Sequence, residues 1–461
     1  MNETTTTTTI TTTSAWPILV IATLGSFIAP FTGTSMNVAL PAIGIHFQMS
    51  ASLLAWTATT YLLSTAIFLI PMGRLADIYG KRIFYLGGMS LYLLVSVISI
   101  HAPNYQIFIL LRFFQGIAAA MIFSTGMAIL ISHYPRHQRG RILGINSVAV
   151  YLGLFFGPLL GGIATERWGW NGIFWLISLF VLPLPLLVFL HIPRDKPLAQ
   201  GEKFAIHGPL LYAAGITGLI MGFSNITKPW GMLLTVSSLF ILFYFISSQQ
   251  KQMHPLIPVN LFRDNLKLSL AGLSAFIHYS ATFAVQFLLG LYLQHVKGAS
   301  PEVVGKVLMV QPVFMIIFSP LAGLLSDKIN TAIIAAVGMF VSMIGIGALA
   351  LLNDQSSFYY IGGALAILGV GIGLFSAPNT NAILGSAEKR YHGIISSVIG
   401  TMRLTGQMLS MGVATTFLSI FLGSSQITAQ RYPLLIKSSN YTLAFFTILC
   451  AVGVVTSIKR R

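Results

Sequence analysis

His278 stands within LSAFIHYSATFAVQF, residues 273–287, an otherwise apolar and hydroxylated run. An ionisable group is costly to bury in such a segment, and ionisable groups inside membrane spans tend to mark pathways and proton relays. Imidazole takes up and releases a proton near neutral pH, its ordinary pKa being about 6.5. Two arginines pose the same question. Arg112 and Gln115, three apart in LLRFFQGIAAA, share one helical face, and Arg403 and Gln407 stand four apart in TMRLTGQMLSMG. A guanidinium there must face a cavity or find carbonyl partners. Each residue has a plainer reading as well. His278 would be neutral and hydrogen-bonded to Tyr279, a hydroxyl or a carbonyl, and the arginines would be structural.

Carboxylates are missing where they would be most useful. The ten acids are Glu3, Asp77, Glu166, Asp195, Glu202, Asp264, Glu302, Asp327, Asp354 and Glu388, and all fall in tails, loops or helix ends. A buried carboxylate with a raised pKa is the usual proton carrier, and it would also balance a lipophilic cation. Cys450 is the only cysteine, so no intrachain disulfide and no cysteine metal site is expected. No phosphate-cradling G-x-x-x-x-G-K-[ST] loop and no nucleophile–base constellation occurs, which argues against ATP drive and against an enzyme. No cofactor or metal is expected.

The elements that must position these residues are membrane helices. Of 461 residues 55% are hydrophobic and 8% charged, against roughly 25% charged in soluble domains. A bilayer core needs about 20 apolar residues per helix. Fourteen spans are predicted, near 16–41, 52–73, 83–101, 107–132, 142–165, 171–191, 208–226, 230–247, 268–294, 302–325, 331–352, 358–378, 393–421 and 441–458. With both termini cytoplasmic, 18 of the 26 Lys and Arg fall inside and 6 outside, with Arg112 and Arg403 within spans. That asymmetry follows the positive-inside rule. The net charge of +16 is therefore read as membrane orientation, with no nucleic-acid partner.

The loop PMGRLADIYGKR after span 2 is echoed by SPLAGLLSDKIN after span 10, with Gly four residues before Asp in both, at Gly73–Asp77 and Gly323–Asp327. The repeat predicts a disordered cytoplasmic tail (1–14), a six-helix bundle (15–193), a linker with two extra helices (194–263) and a second six-helix bundle (264–461). The extra spans carry no charge and read as a peripheral pair. Parallel halves with a site between them are a transporter architecture. A channel or receptor would not need that symmetry, and the intact motifs in both halves argue against a sensor or scaffold.

These motifs resemble the major facilitator superfamily, in its fourteen-span drug:proton antiporter branch. The likeness covers nearly the whole chain. It rests on GRLADIYGKR (73–82), GLFFGPLLGG (153–162), LLRFFQGIAAA, LAWTATTYLLSTAIFLIPMGRLAD (54–77) and LYLQHVKGASPEVVG (291–305). The resemblance implies an all-α fold of 14 transmembrane helices, two pseudo-symmetric six-helix bundles plus two central helices. It implies a multidrug efflux transporter in the plasma or inner membrane, working as a monomer by alternating access. Gly73, Arg74, Asp77, Gly80, Lys81 and Arg82, with Gly323 and Asp327, would form a cytoplasmic gate. Gly153, Gly157, Pro158, Gly161 and Gly162 would form the antiporter-motif helix.

Candidates for coupling or substrate contact are His278, Arg112, Arg403, Thr32, Asn37, Tyr61, Gln115, Gln286 and Gln407. One departure matters. Five residues before Asn37 the branch usually carries an aspartate, and this chain has Thr32. Two readings follow. The first is a proton-coupled exporter of small amphipathic molecules in which His278 replaces the missing acid. The second is a proton-independent carrier, or one for an anionic or neutral solute.

Overall fold

The computed structural model describes residues 15–459 apart from 136–137, 196, 198, 200, 203, 227, 251, 253–258, 327, 387–391 and 424–425. The tail 1–14 and Asp327 lie outside the described residues. The described chain is helical: α1 Ala15–His46, α2 Ala51–Tyr79, α3 Lys81–Ser99, α4 Tyr105–Ser132, α5 Arg139–Trp168, α6 Asn171–Val181, α7 Leu184–His191, α8 His207–Ser224, α9 Pro229–Gln249, α10 Val259–Arg263, α11 Leu266–Thr282, α12 Ala284–Leu291, α13 Pro301–Leu308, α14 Val310–Ser326, α15 Thr331–Leu349, α16 Phe358–Gly385, α17 His392–Leu422 and α18 Tyr432–Lys459.

Local chemistry sets the ends. Asn104, Asn265 and Asn330 accept from Ile107 N (2.9 Å), Leu268 N (3.0 Å) and Ala332 N (2.9 Å), capping α4, α11 and α15. Pro229 and Pro301 occupy first-turn positions of α9 and α13, where a missing N–H costs nothing. Gly80 turns the chain between α2 and α3 at φ 108°, a conformation that disfavours any side chain.

Among the described residues, thirteen helices are long and apolar enough to cross a membrane. The predicted seventh span is α8, whose glycines, proline and leading histidine dilute its hydropathy. The last helix begins at Tyr432, not near 441. Within it Asn440 Nδ2 donates to Leu352 O at 2.8 Å, while the Ser438 and Ser439 hydroxyls are buried without a partner among the described residues.

Small residues let the helices close on one another. Gly153 and Gly161 stand against α1, where an added Cβ would lie 2.5 Å from Phe27 O and 2.7 Å from Ser35 Cβ, and one at Gly157 would collide with Thr34 Oγ1. At the end of the bundle opposite the start of α1, α1 meets α12 and α5 meets α13. There Gln294 Nε2 donates to Val38 O at 2.8 Å. Gly162 lies on Pro301 O and Gly305 on Pro158 O, with no room for a Cβ at either. Helix α2 also packs on α17, and α8 packs on both. Thr416 Oγ1 donates to Phe223 O at 3.0 Å. Only α9 of the extra pair is peripheral, with Leu233, Phe240 and Phe243 about seven-tenths exposed.

The connection after α7 runs back over the α2–α3 loop. Asp195 accepts from Lys81 N (2.7 Å) and Arg82 N (3.1 Å), Ala199 N donates to Asp77 O (3.0 Å), and Arg74 pairs with Glu202. Asp77 itself pairs with Lys81 at 3.6 Å. A carboxylate on the first amides of a helix neutralises otherwise orphaned donors and the helix dipole. Asp195→Ala is expected to lower stability by about 0.5–2 kcal/mol, read as a lower unfolding midpoint in detergent. An unchanged midpoint would mean that water replaces the cap at no cost.

Candidate substrate and coupling site

The approach of α4 to α2 builds the first polar cluster. Gly116 sits against Ser64 and the Tyr61 carbonyl, and Thr65 Oγ1 donates to Gly116 O at 3.2 Å. One turn earlier, Arg112 is thereby pressed on α2. Its side chain is 1% exposed. Nε donates to Thr57 O (3.3 Å), an Nη donates to Gln115 Oε1 (2.5 Å), and the guanidinium lies over the Tyr61 ring, 4.5 Å from its centroid. Gln115 Nε2 in turn donates to Ser96 Oγ at 3.1 Å. Tyr92 donates to Thr32 Oγ1 at 2.8 Å, and Thr32 to Ile28 O at 2.9 Å. The Tyr61 and Tyr92 hydroxyls are neighbours. Thr32, Tyr61, Arg112 and Gln115 thus join one network across α1–α4.

A second cluster surrounds Arg403 on α17. Its guanidinium lies 5.1 Å from the centroid of Tyr279 on α11. Tyr151 on α5 is within electrostatic reach of both. The Tyr151 and Ser319 hydroxyls are 2.8 Å apart, joining α5 to α14, and Ser376 on α16 stands close to Tyr151. Arg403, Tyr279 and Tyr151 are only partly buried. The ion pairs among the described residues all sit at helix ends and connections, and none includes Arg112 or Arg403.

His278 lies apart from both networks. It is fully buried, stacked on Phe375 at 4.0 Å between ring centroids, with Nδ1 3.2 Å from Met339 Sδ. Its Nε2 has no hydrogen-bond partner. Tyr279 meets it edge-on at 5.6 Å between centroids, so that contact is aromatic and not a hydrogen bond. Helix α11 ends four residues later, and Ala284 N donates to Ser410 Oγ at 3.0 Å as α12 begins. Beyond this break Gln286 Nε2 donates to Gln311 Oε1 at 3.3 Å. Gln407 and Asn37 are buried elsewhere, on α17 and α1, and the Asn37 carbonyl faces Gly290.

Tyr92, Ser96, Thr57, Tyr151, Ser319 and Ser376 were not among the predicted site residues. A signal existed for two of them. Tyr92 and Ser96 are four apart in an apolar span, so they share a face.

Residues 22–411, and again 271–459, match the Major Facilitator Superfamily. The chain is 29% identical over 453 residues to the riboflavin transporter RibZ of Clostridioides difficile (strain 630), spanning 96% of this chain and 97% of that protein. It is 27% identical over 415 residues to multidrug resistance protein Stp of Mycobacterium tuberculosis (strain CDC 1551 / Oshkosh), spanning 88% and 76%. A bacterial homolog of the human lysosomal transporter Spinster, solved inward-facing and unoccupied, has the same fold. Its TM-score is 0.70 at 16% identity, over 97% of this chain and 98% of that one. The fold is thus that of a multi-pass, alternating-access carrier, not that of an enzyme. On its sequence and on its helical architecture alike, the chain belongs to the Major Facilitator Superfamily.

Proposed function

We propose that the protein is a secondary transporter for a neutral or anionic small solute and that its cycle does not require proton exchange. The observation that carries this reading is the charge pattern. Asp77, Glu166, Asp195, Glu202, Asp264, Glu302 and Asp354 all lie at helix ends or in connections, while Arg112 is enclosed mid-helix and Arg403 stands partly open. A lipophilic cation would meet uncompensated positive charge, whereas an anion or an uncharged hydrogen-bonding solute would not. The likeness to a riboflavin transporter supports an aromatic solute.

In this reading residues 15–193 and 264–461 form two six-helix halves, and 194–263 contribute α8 and α9. The chain acts as a monomer of the fourteen-span branch, with both termini cytoplasmic. The packed ends of α1, α5, α12 and α13 are then the closed outer side. Gly73, Arg74, Asp77, Gly80, Lys81, Arg82 and Gly323 belong to the cytoplasmic gate. Thr32, Asn37, Tyr61, Gln115, Gln286 and Gln407 line or support the path. Arg112 holds its bundle together.

Proton antiport through His278 has one observation in its favour, the unpartnered Nε2. Against it, the ring is sealed by Phe375 and Met339.

The test is reconstitution in liposomes with an internal pH-sensitive dye and imposed gradients of lipophilic cations, neutral aromatics and organic anions. Neutral or anionic solutes are expected to move with internal pH unchanged, equally in wild type and His278→Phe. Solute-driven proton movement that disappears in His278→Phe would replace this reading with proton antiport.

A further inference from the structure

The two arginines within the helix bundle are not equivalent, and the difference assigns a recognition site. Arg112 is spent within its own bundle. Its donors serve Thr57 and Gln115, and the Tyr61 ring covers its face. Arg403 has one aromatic face against Tyr279 and no carboxylate among the described residues. A guanidinium stacked on one ring keeps its edge free to donate two parallel hydrogen bonds to an oxyanion. Tyr151 on α5 lies within electrostatic reach of Arg403, and the Tyr151 hydroxyl is 2.8 Å from that of Ser319 on α14 and close to Ser376 on α16.

We infer that Arg403, oriented by Tyr279 and helped by Tyr151, Ser319 and Ser376, binds a single anionic group of the transported solute, a carboxylate or an equivalent oxyanion. The inference rests on the transport reading above and deepens it. The anion accepts from the Arg403 edge and from the Tyr151 and Ser319 hydroxyls, which otherwise bond each other. An occupied site would therefore tie α5 to α14 through the solute. An adjoining aromatic ring suits Tyr279, so aromatic carboxylates are the fitting class.

The experiment uses the full chain in proteoliposomes and matched radiolabelled pairs, 1-naphthoate with 1-naphthamide and indole-3-acetate with its amide. Wild type is expected to move the carboxylate at least tenfold faster than the amide in at least one pair. Arg403→Gln should reduce that ratio about tenfold while amide flux persists, and Arg403→Lys should lie between. Tyr279→Phe, which keeps the ring, should preserve the ratio, and Tyr279→Leu should lower it. Persistent amide flux shows that each variant is folded. If Arg403→Gln retains the wild-type ratio, or if wild type favours no carboxylate, the inference is overturned while the transport reading stands. If wild type moves neither member of any pair, the transport reading for this solute class falls, and the inference with it. If Arg403→Gln moves neither member, a structural role for Arg403 replaces the one proposed.

Discussion

Arg112→Ala is expected to cost roughly 2–5 kcal/mol of stability, the range for emptying a large buried site, and to reduce transport at least tenfold. Three effects compete. The side chain leaves a void beneath the Tyr61 ring, and Gln115 Oε1 loses its donor. An orphaned buried acceptor costs about 1–3 kcal/mol. Opposing both, a buried charge without a carboxylate partner no longer needs to be desolvated. The first two outweigh the third because the Tyr61 ring, the Thr57 carbonyl and Gln115 Oε1 already relieve part of that charge. Arg112→Met separates the effects. It fills the space and removes the charge, so it should be more stable than the alanine variant. Unfolding midpoints in one detergent, with flux measured in parallel, decide the matter. An alanine variant as stable as wild type would mean that the α1–α4 network is incidental.

Gly162→Val is expected to pry open the seal between α5 and α13. An added Cβ meets only backbone there, the Pro301 carbonyl and Glu302 Cα, the latter at 3.2 Å. Backbone cannot rotate aside as a flexible side chain does. Overpacking of about 1–3 kcal/mol corresponds to roughly a 5–150-fold shift between two conformations. Gly305→Val should act alike, since its Cβ would meet the Pro158 carbonyl. Cys450 is the only cysteine, so a Cys450→Ser background carrying Gln294→Cys reports the seal directly. Labelling by a membrane-impermeant maleimide should accelerate about tenfold or more in Gly162→Val. Equal labelling rates would show that the contact adapts.

The membrane fold was legible because low charge and span-length apolar runs leave a chain few alternatives. Span ends were less legible. Asn440 reads as a loop residue until its carbonyl partner on the neighbouring segment is seen. The first polar cluster was half legible, since Arg112 and Gln115 are near in sequence whereas Thr57, Tyr92 and Ser96 reach them only through helix packing. Helix rotation hid the rest. Nothing in the run around His278 tells that its ring turns to Phe375 and Met339, or that Tyr151, far away in sequence, stands with Arg403. The contrast between the two arginines depends on what each faces, and pattern alone does not carry that.

The contacts of Asp195, Ala199 and Glu202 with the α2–α3 loop bear on how this chain could be shortened or grafted. The helix pair α8–α9 is not a cassette that lifts out between α7 and α10. Its leading segment is stitched to the loop it crosses, so an excision starting directly after α7 would remove the partners of Lys81, Arg82 and Arg74 together with the helices. A twelve-helix derivative, or a chimera with a relative lacking the pair, has its natural junction beyond residue 202. The part of the insertion that looks most like a spacer is the part least open to redesign.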